Sequence, residues 1–279
     1  MKIIYITDAH PRFETKYSCV EEIINFNKKT IPEAEFHYIS NTDLRMDGVS
    51  HHPLSEYICE DIKKYQDNFF NMSANPSDLE RLYLQRFLVL RNFINAQQWK
   101  SFLHLDNDIA IFRNPSYWPT EVLSADYTLS KGHSCQFMIF NTKKVINDFF
   151  DYVMGIYIDR NSEFKRLLNV YNSNFKGKKK GGIGDMFLWS EFKNLSNLNC
   201  IEDTSQIFNN NQTFDHHLQA IDGYEKEGFI KKIEFKKRIP YSFHQETKKR
   251  ITFNTLHFQG TEPKLLISDF LNRAERSND

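Results

Sequence analysis

The chain has 279 residues, with 36 lysines and arginines balanced by 36 aspartates and glutamates, so its formal charge of zero leaves no net field to attract nucleic acid or an anionic membrane. No window approaches the roughly 18 consecutive apolar residues of a membrane span, and the apolar start before Asp8 is too short for a signal core, so a cytoplasmic protein with at most peripheral membrane contact is expected. The cysteines at 19, 59, 135 and 200 are too scattered for a zinc or redox motif, which agrees with a reducing compartment, and the sequons at Asn71, Asn194 and Asn211 are read as chance.

Ile3 to Thr7 is a continuous apolar run, as in a strand covered on both faces of a parallel sheet. Val20, Ile23 and Ile24 recur at helical spacing, and Glu35 to Ser40 reads as a second strand, which completes a β-α-β unit. Residues 41 to 75 are polar and punctuated, with His51 and His52 in loop and one short helix expected. Ser77 and Glu80 form a capping box that opens a helix to about Gln98, with an apolar stripe of Leu79, Leu82, Tyr83, Phe87, Leu90 and Ile94. Arg86 lies on that stripe, where a lone charge needs an anion.

Ser101 to Leu105 is an apolar strand that stops on Asp106-Asn107-Asp108. If the strand continues, Asp106 and Asp108 point to the same face, where two like charges repel unless a cation lies between them. A divalent metal is the natural occupant, with phosphate oxygens as its partners. After a turn at Asn114-Pro115 and Trp118-Pro119, Cys135 to Asn141 gives another strand and Val145 to Tyr157 a helix. Lys176 to Gly184 reads as a loop, whose Lys178-Lys179-Lys180 is a candidate lid and not a P-loop, and Asp185 opens the helix Met186 to Phe192. His216-His217 reads as loop, further strands are expected over Ile230 to Phe235 and Thr252 to His257, and Lys236-Lys237-Arg238 is a small basic cluster. From Ser268 a charged helical tail is expected to fray.

Ligands of α/β folds collect beyond the carboxyl ends of parallel strands, which singles out Thr7, Asp8, Ala9 and His10 together with Asp106 to Asp108. Late in the chain, His257 ends a strand pattern and is followed by Gly260 and Lys264, which together offer a metal ligand, close backbone approach and a phosphate counter-charge. Mn²⁺ and Mg²⁺ both accept such oxygen donors, and Mn²⁺ accepts an imidazole as well.

An apolar strand ending in Asp-x-Asp, an earlier strand ending in Thr7-Asp8, a preceding helix with Arg86, and a late His257-Phe258-Gln259-Gly260 with Lys264 nearby resemble GT-A glycosyltransferases of the glycogenin-like and lipopolysaccharide galactosyltransferase type. The resemblance implies a Rossmann-like GT-A fold: a mostly parallel central sheet flanked by helices, with a small additional β element. It implies a single domain over 1–279, with a nucleotide-binding half to about 115, a half over about 116–267 that completes the metal and acceptor site, and the tail 268–279. By the same resemblance the donor-binding residues are Thr7, Asp8, Ala9, Arg86, Asp106, Asn107, Asp108, Gly260 and Lys264, and the metal ligands are Asp106, Asp108 and His257. The activity implied is hexosyl transfer from a nucleotide sugar, UDP-linked, to a hydroxyl of a glycan or glycoconjugate, with the acceptor held by loops 41–75 and 205–225.

Asp185 is the residue on which mechanism turns. It is a general base if the reaction inverts the anomeric carbon, or it orients the donor sugar if the reaction retains, with Gln136 flanking the reacting face; a plain helix cap is the third option. The chain departs from the family at Pro263-Lys264-Leu265, where Lys-Pro-Trp is usual, and at Gly181 to Gly184, where the usual Asp-Gln-Asp pattern ending at Asp185 is reduced to one carboxylate. Two other readings compete: a haloacid-dehalogenase-like phosphatase with Asp106 as nucleophile, although Ala110 stands where that motif has Thr or Val, and a non-catalytic nucleotide- or carbohydrate-binding protein.

Overall fold

The structure, a computed structural model, describes residues 1–7 and 18–277. Asp8, Ala9 and His10 therefore lie outside the described residues. In chain order the strands are β1 (Lys2–Thr7), β2 (Glu35–Ser40), β3 (Ser50–Pro53), β4 (Met72–Ser73), β5 (Phe102–Leu105), β6 (Ile109–Ile111), β7 (Tyr127–Thr128), β8 (Phe137–Phe140), β9 (Gly182–Ile183), β10 (Cys200–Ile201), β11 (Gln212–Thr213), β12 (Lys226–Glu227), β13 (Ile230–Lys231), β14 (Glu234–Lys236), β15 (Ile239–His244), β16 (Lys249–Phe253) and β17 (Thr255–His257). The helices are α1 (Ser18–Thr30), α2 (Glu60–Asn68), α3 (Ser77–Gln97), α4 (Thr120–Ser124), α5 (Lys144–Tyr157), α6 (Ser162–Asn174), α7 (Asp185–Leu195), α8 (Thr261–Lys264) and α9 (Ile267–Arg276). None of them is long and apolar enough to cross a membrane.

The central sheet has seven strands in the order β10-β7-β8-β5-β1-β2-β3, of which β8 alone runs against its neighbours. This is the expected mixed α/β architecture with a mostly parallel sheet. Strand alternation explains its two faces. Ile4 and Ile6 of β1 pack with α3, α5 and α7, where Trp189 stacks on Phe149 at 3.7 Å between ring centroids. Ile3 and Tyr5 turn to the other face and meet Val20 and Ile24 of α1.

The expected additional β element is a four-stranded sheet, β11-β16-β15-β14, with short pairs β12-β13 and β17-β6 beside it. Its core takes Ile23 and Phe26 from the outer side of α1 and Phe270, Leu271 and Ala274 from α9. Helix α1 is thus buried between the central sheet and the C-terminal element. Asn27 ties the three together: its amide donates to the Tyr5 hydroxyl at 2.7 Å and to the Ile109 carbonyl at 2.9 Å, and accepts from the Ile111 N–H at 2.6 Å.

Several expectations are corrected. The described part of the tail, to Ser277, is docked: α9 buries an apolar face and its end is hydrogen-bonded to the β14-β15 turn, Ser277 O accepting from the Lys237 N–H at 2.9 Å. That turn uses the basic cluster Lys236-Lys237-Arg238. His51 and His52 are in strand β3, paired with Tyr38 and Ile39 of β2. The expected strand over 230–235 is two, β13 and β14, and that over 252–257 is broken at Asn254, while β15 went unforeseen.

The apolar face of α3 is wider than one stripe, since Leu84, Leu88, Val89 and Phe93 are buried too. Ser77 and Glu80 do not form a capping box: Pro76 is the cap residue, and the Glu80 carboxylate instead accepts from the Ser73 hydroxyl at 2.9 Å and the Asn75 amide at 2.6 Å. The cause is the β4-β9 pair, which sets Ser73 opposite Gly182. Gly182 has φ of 150° and lies so close that a Cβ would run into the Ser73 backbone. Lys178 to Lys180, in the loop before it, are exposed.

Candidate active site

The carboxyl ends of β1 and β5 open into a cavity of about 510 Å³ lined by Thr7, Arg86, Asp106, Asn107, Asp108, Gln136, Asp185, His257, Gly260 and Lys264. Every described residue singled out for the site thus faces one space. The expected continuation of the β5 strand does not occur, because β5 ends at Leu105 and residues 106–108 make a turn into β6, closed by the Ile109 N–H on the Asp106 carbonyl at 3.3 Å. Two aspartates that an extended strand would have aimed in parallel are instead presented around a bend. Asn107, at its apex, donates through its amide to the Thr7 hydroxyl and so locks the turn to β1.

Asp106 faces the helical side. Its carboxylate accepts from Arg86 Nη1 at 2.6 Å, while Arg86 Nη2 reaches Asp185 Oδ2 at 2.9 Å. The charge on the α3 stripe has therefore found two anions, one from the turn after β5 and one from the first turn of α7. The cap of α7 is Gly184, not Asp185, whose other oxygen accepts from the Met186 N–H at 2.7 Å. Cys135, unforeseen as a site residue, places its thiol 3.4 Å from Asp185 Oδ2 and 3.5 Å from Arg86 Nη2. Burial disfavours the Arg86 charge, but the surrounding Asp106, Cys135 and Asp185 outweigh it and raise the pKa. Burial, with Asp185 beside it, pushes the Cys135 thiol well above its ordinary range and favours its neutral form.

Asp108 faces the C-terminal element. Strand β17 pairs antiparallel with β6, and the Phe258 N–H donates to the Asp108 carbonyl at 2.9 Å, which carries His257 alongside the turn. His257 Nε2 is 3.3 Å from Asp108 Oδ1, and Lys264 Nζ is 2.8 Å from Asp108 Oδ2. Lys264 ends α8, which starts after Gly260 at φ of 93°, a backbone shape that glycine adopts without strain.

One ligand atom each from Asp106, Asp108 and His257 lies within 4.8 Å of the others. His257 Nδ1 is 2.6 Å from the His216 carbonyl oxygen, an acceptor only, so Nδ1 carries a proton and Nε2, the nitrogen toward the aspartates, is the one a metal would take. Two carboxylates and an imidazole with a fixed tautomer suit a divalent ion such as Mn²⁺. Burial raises the pKa of both aspartates, and the outcomes differ: Arg86 only partly offsets it for Asp106, whose pKa stays raised, whereas His257 and Lys264 overturn it for Asp108 and hold that carboxyl well below its usual range.

Gln136 is buried, its Oε1 accepting from the Ser134 hydroxyl and its Nε2 donating to the His216 carbonyl at 3.3 Å. The loop reading of His216-His217 is correct, but the function of its carbonyls was invisible to pattern. Besides Cys135, the buried Glu80, read only as a capping residue, lines the cavity, and the buried Asp215 and Lys231, not singled out in the sequence, stand behind His257. Its place in the expected strand over Ile230 to Phe235 was the one available signal for Lys231.

No protein-family model and no curated protein matches the chain. Among solved structures it is similar to mouse xyloside xylosyltransferase 1, with 8% identity, 79% of this chain and 89% of that chain covered, and a TM-score of 0.47. It is also similar to galactosyltransferase LgtC in complex with donor and acceptor sugar analogs, at 10% identity over 99% of this chain and 96% of that chain, TM-score 0.45. A third similar structure is a glycosyltransferase involved in glycosylation of the major capsid of PBCV-1, at 11% identity over 99% and 100% of the two chains, TM-score 0.39.

Proposed function

We propose that the chain is a metal-dependent GT-A glycosyltransferase that moves a hexosyl group from a UDP-linked sugar to a hydroxyl of a glycan, glycoconjugate or related acceptor. The observation that carries this reading is the convergence of Asp106, Asp108 and His257 within 4.8 Å, beside Arg86 and Lys264, in one cavity. Its volume of about 510 Å³ lies in the range of small-molecule sites. On this reading residues 1–279 work as one cytoplasmic domain, in which the first 115 residues or so hold the nucleotide.

Asp106, Asp108 and His257 would hold Mn²⁺ or Mg²⁺, which supplies positive charge to the departing diphosphate. Lys264 adds a mobile point charge for the same phosphates, and Gly260 allows their close backbone approach. Thr7 and Asn107, hydrogen-bonded to each other, form the floor for the nucleoside, with Asp8 and Ala9 next in the chain. Arg86 has both terminal nitrogens engaged by Asp106 and Asp185, so its main work is to hold the two carboxylates at a set separation. Asp185 uses one oxygen on Arg86 and the other on a backbone N–H, an arrangement suited to orienting the hydroxyls of the donor sugar. Gln136 flanks the same space.

The test is a panel of nucleotide sugars with and without Mn²⁺. One donor should raise the melting temperature only when Mn²⁺ is present and should slowly release its nucleoside diphosphate. Absence of both effects for every donor, with hydrolysis of a generic phosphomonoester, would overturn the reading.

A further inference from the structure

We propose that the ion pair of Lys231 and Asp215 is a positioning device that holds the His257 imidazole in its metal-binding tautomer. This rests on the reading of His257 as a metal ligand. The Lys231 and Asp215 side chains are 1% and 0% exposed, with Nζ to Oδ1 at 2.8 Å. Burying two charges costs several kcal/mol each in desolvation, and apolar replacements of such pairs are often neutral or stabilising, so stability alone is a weak reason for the pair.

Its side-chain hydrogen bonds go to His257 itself and to the segment that holds the His257 ring. The second oxygen of Asp215 accepts the His257 N–H at 3.1 Å, and Lys231 Nζ donates to the His217 carbonyl at 2.8 Å. Those two contacts flank the His216 carbonyl, the acceptor for His257 Nδ1 at 2.6 Å. The Leu218 N–H donates to the His257 carbonyl at 3.1 Å, and the Lys231 N–H to the Leu218 carbonyl at 2.9 Å. Segment 215–218 is therefore stitched to β17 on one side and to Lys231 on the other. Release of the pair frees the His216 peptide to turn away, and Nδ1 loses its acceptor. The neutral imidazole can then carry its proton on Nε2, where it blocks the lone pair that a metal needs.

Two double variants test this, each removing both charges so that neither leaves a lone buried ion. Asp215→Leu with Lys231→Met should stay folded, with a melting temperature within about 5 °C of wild type. It should bind Mn²⁺ about 10- to 100-fold more weakly by calorimetry, the usual effect of removing an outer partner of a metal ligand. Asp215→Asn with Lys231→Met keeps an acceptor for the His257 N–H and should lose less. In ¹⁵N-histidine spectra without metal, recorded at a pH where the His257 imidazole is neutral, both should show more of its Nε2–H tautomer than wild type. Wild-type Mn²⁺ affinity and an unchanged His257 spectrum in a folded variant overturn the proposal, and if the leucine variant does not fold the asparagine variant decides it. Wild-type protein that binds no Mn²⁺ removes the metal reading as well, whereas wild-type binding with unaffected variants removes the positioning role alone.

Discussion

Asp106 and Asp108 are one residue apart but answer to different regions of the molecule. Asp106 belongs to the helical side of the parallel sheet, with 27% of its side chain exposed and its partner Arg86 on α3. Asp108 belongs to the C-terminal element, 9% exposed between His257 of β17 and Lys264 of α8. Burial raises the pKa of the first, while the cations around the second overcome burial and lower it. The comparison teaches that a short motif does not define one environment. On the helical side the carboxylate is already neutralised by a fixed guanidinium; on the C-terminal side it is kept ionised by groups on short, separately anchored elements.

The largest effect should follow from Asp108→Ala, which removes a ligand and leaves His257 and Lys264 without their shared anion. Transfer should fall on the order of 10³-fold, matching the several kcal/mol that such a site lends to a departing charge, and Mn²⁺-dependent donor binding should vanish in a melting assay. Equal losses for Asp106→Ala and Asp108→Ala would erase the distinction between the two regions. Next, Arg86→Lys keeps the charge but cannot bridge Asp106 and Asp185, and a kcat loss of about 10²-fold is expected from misplaced reacting groups. A wild-type kcat for that variant would mean that charge alone matters on the helical side.

The smallest effect comes from histidines outside the cavity lining and sets a baseline for any pH profile. Burial depresses the pKa of His37 from 6.5 to about 4 and that of His104 to about 3, with Arg86 adding to the second. The unfolded chain, whose histidines titrate near 6.5, binds more protons than the folded one below that pH. Stability contributed by these neutral histidines is full above pH 6.5 and is lost as pH falls toward 4 and then 3. Melting temperatures measured between pH 7 and pH 4 should decline, and His37→Phe, which keeps a ring against Trp99, should flatten the decline.

Much of the helical side was legible because its signals are local. The unbroken run at Ile3 to Thr7, the charge of Arg86 on an apolar stripe and the two aspartates after β5 each follow from the spacing of neighbours in the chain; β1 forms as expected and Arg86 has its anions, while the aspartates are presented around a bend and not along an extended strand. The C-terminal side was legible only at His257 and Lys264, whose partners lie more than a hundred residues away. Glu80 shows how a local signal fails: the capping-box pattern is present, but the β4-β9 pairing supplies stronger donors.

The sequence by itself determined the α/β pattern and the residue types of the site, since apolar periodicity and the need of a buried charge for a counter-charge act within a few residues. The tertiary structure decided that residues 106–108 bend, that Arg86 joins Asp106 to Asp185, that α9 docks and that Asp215 and Lys231 stand behind His257. Those outcomes depend on which distant elements meet, and spacing along the chain does not carry that information.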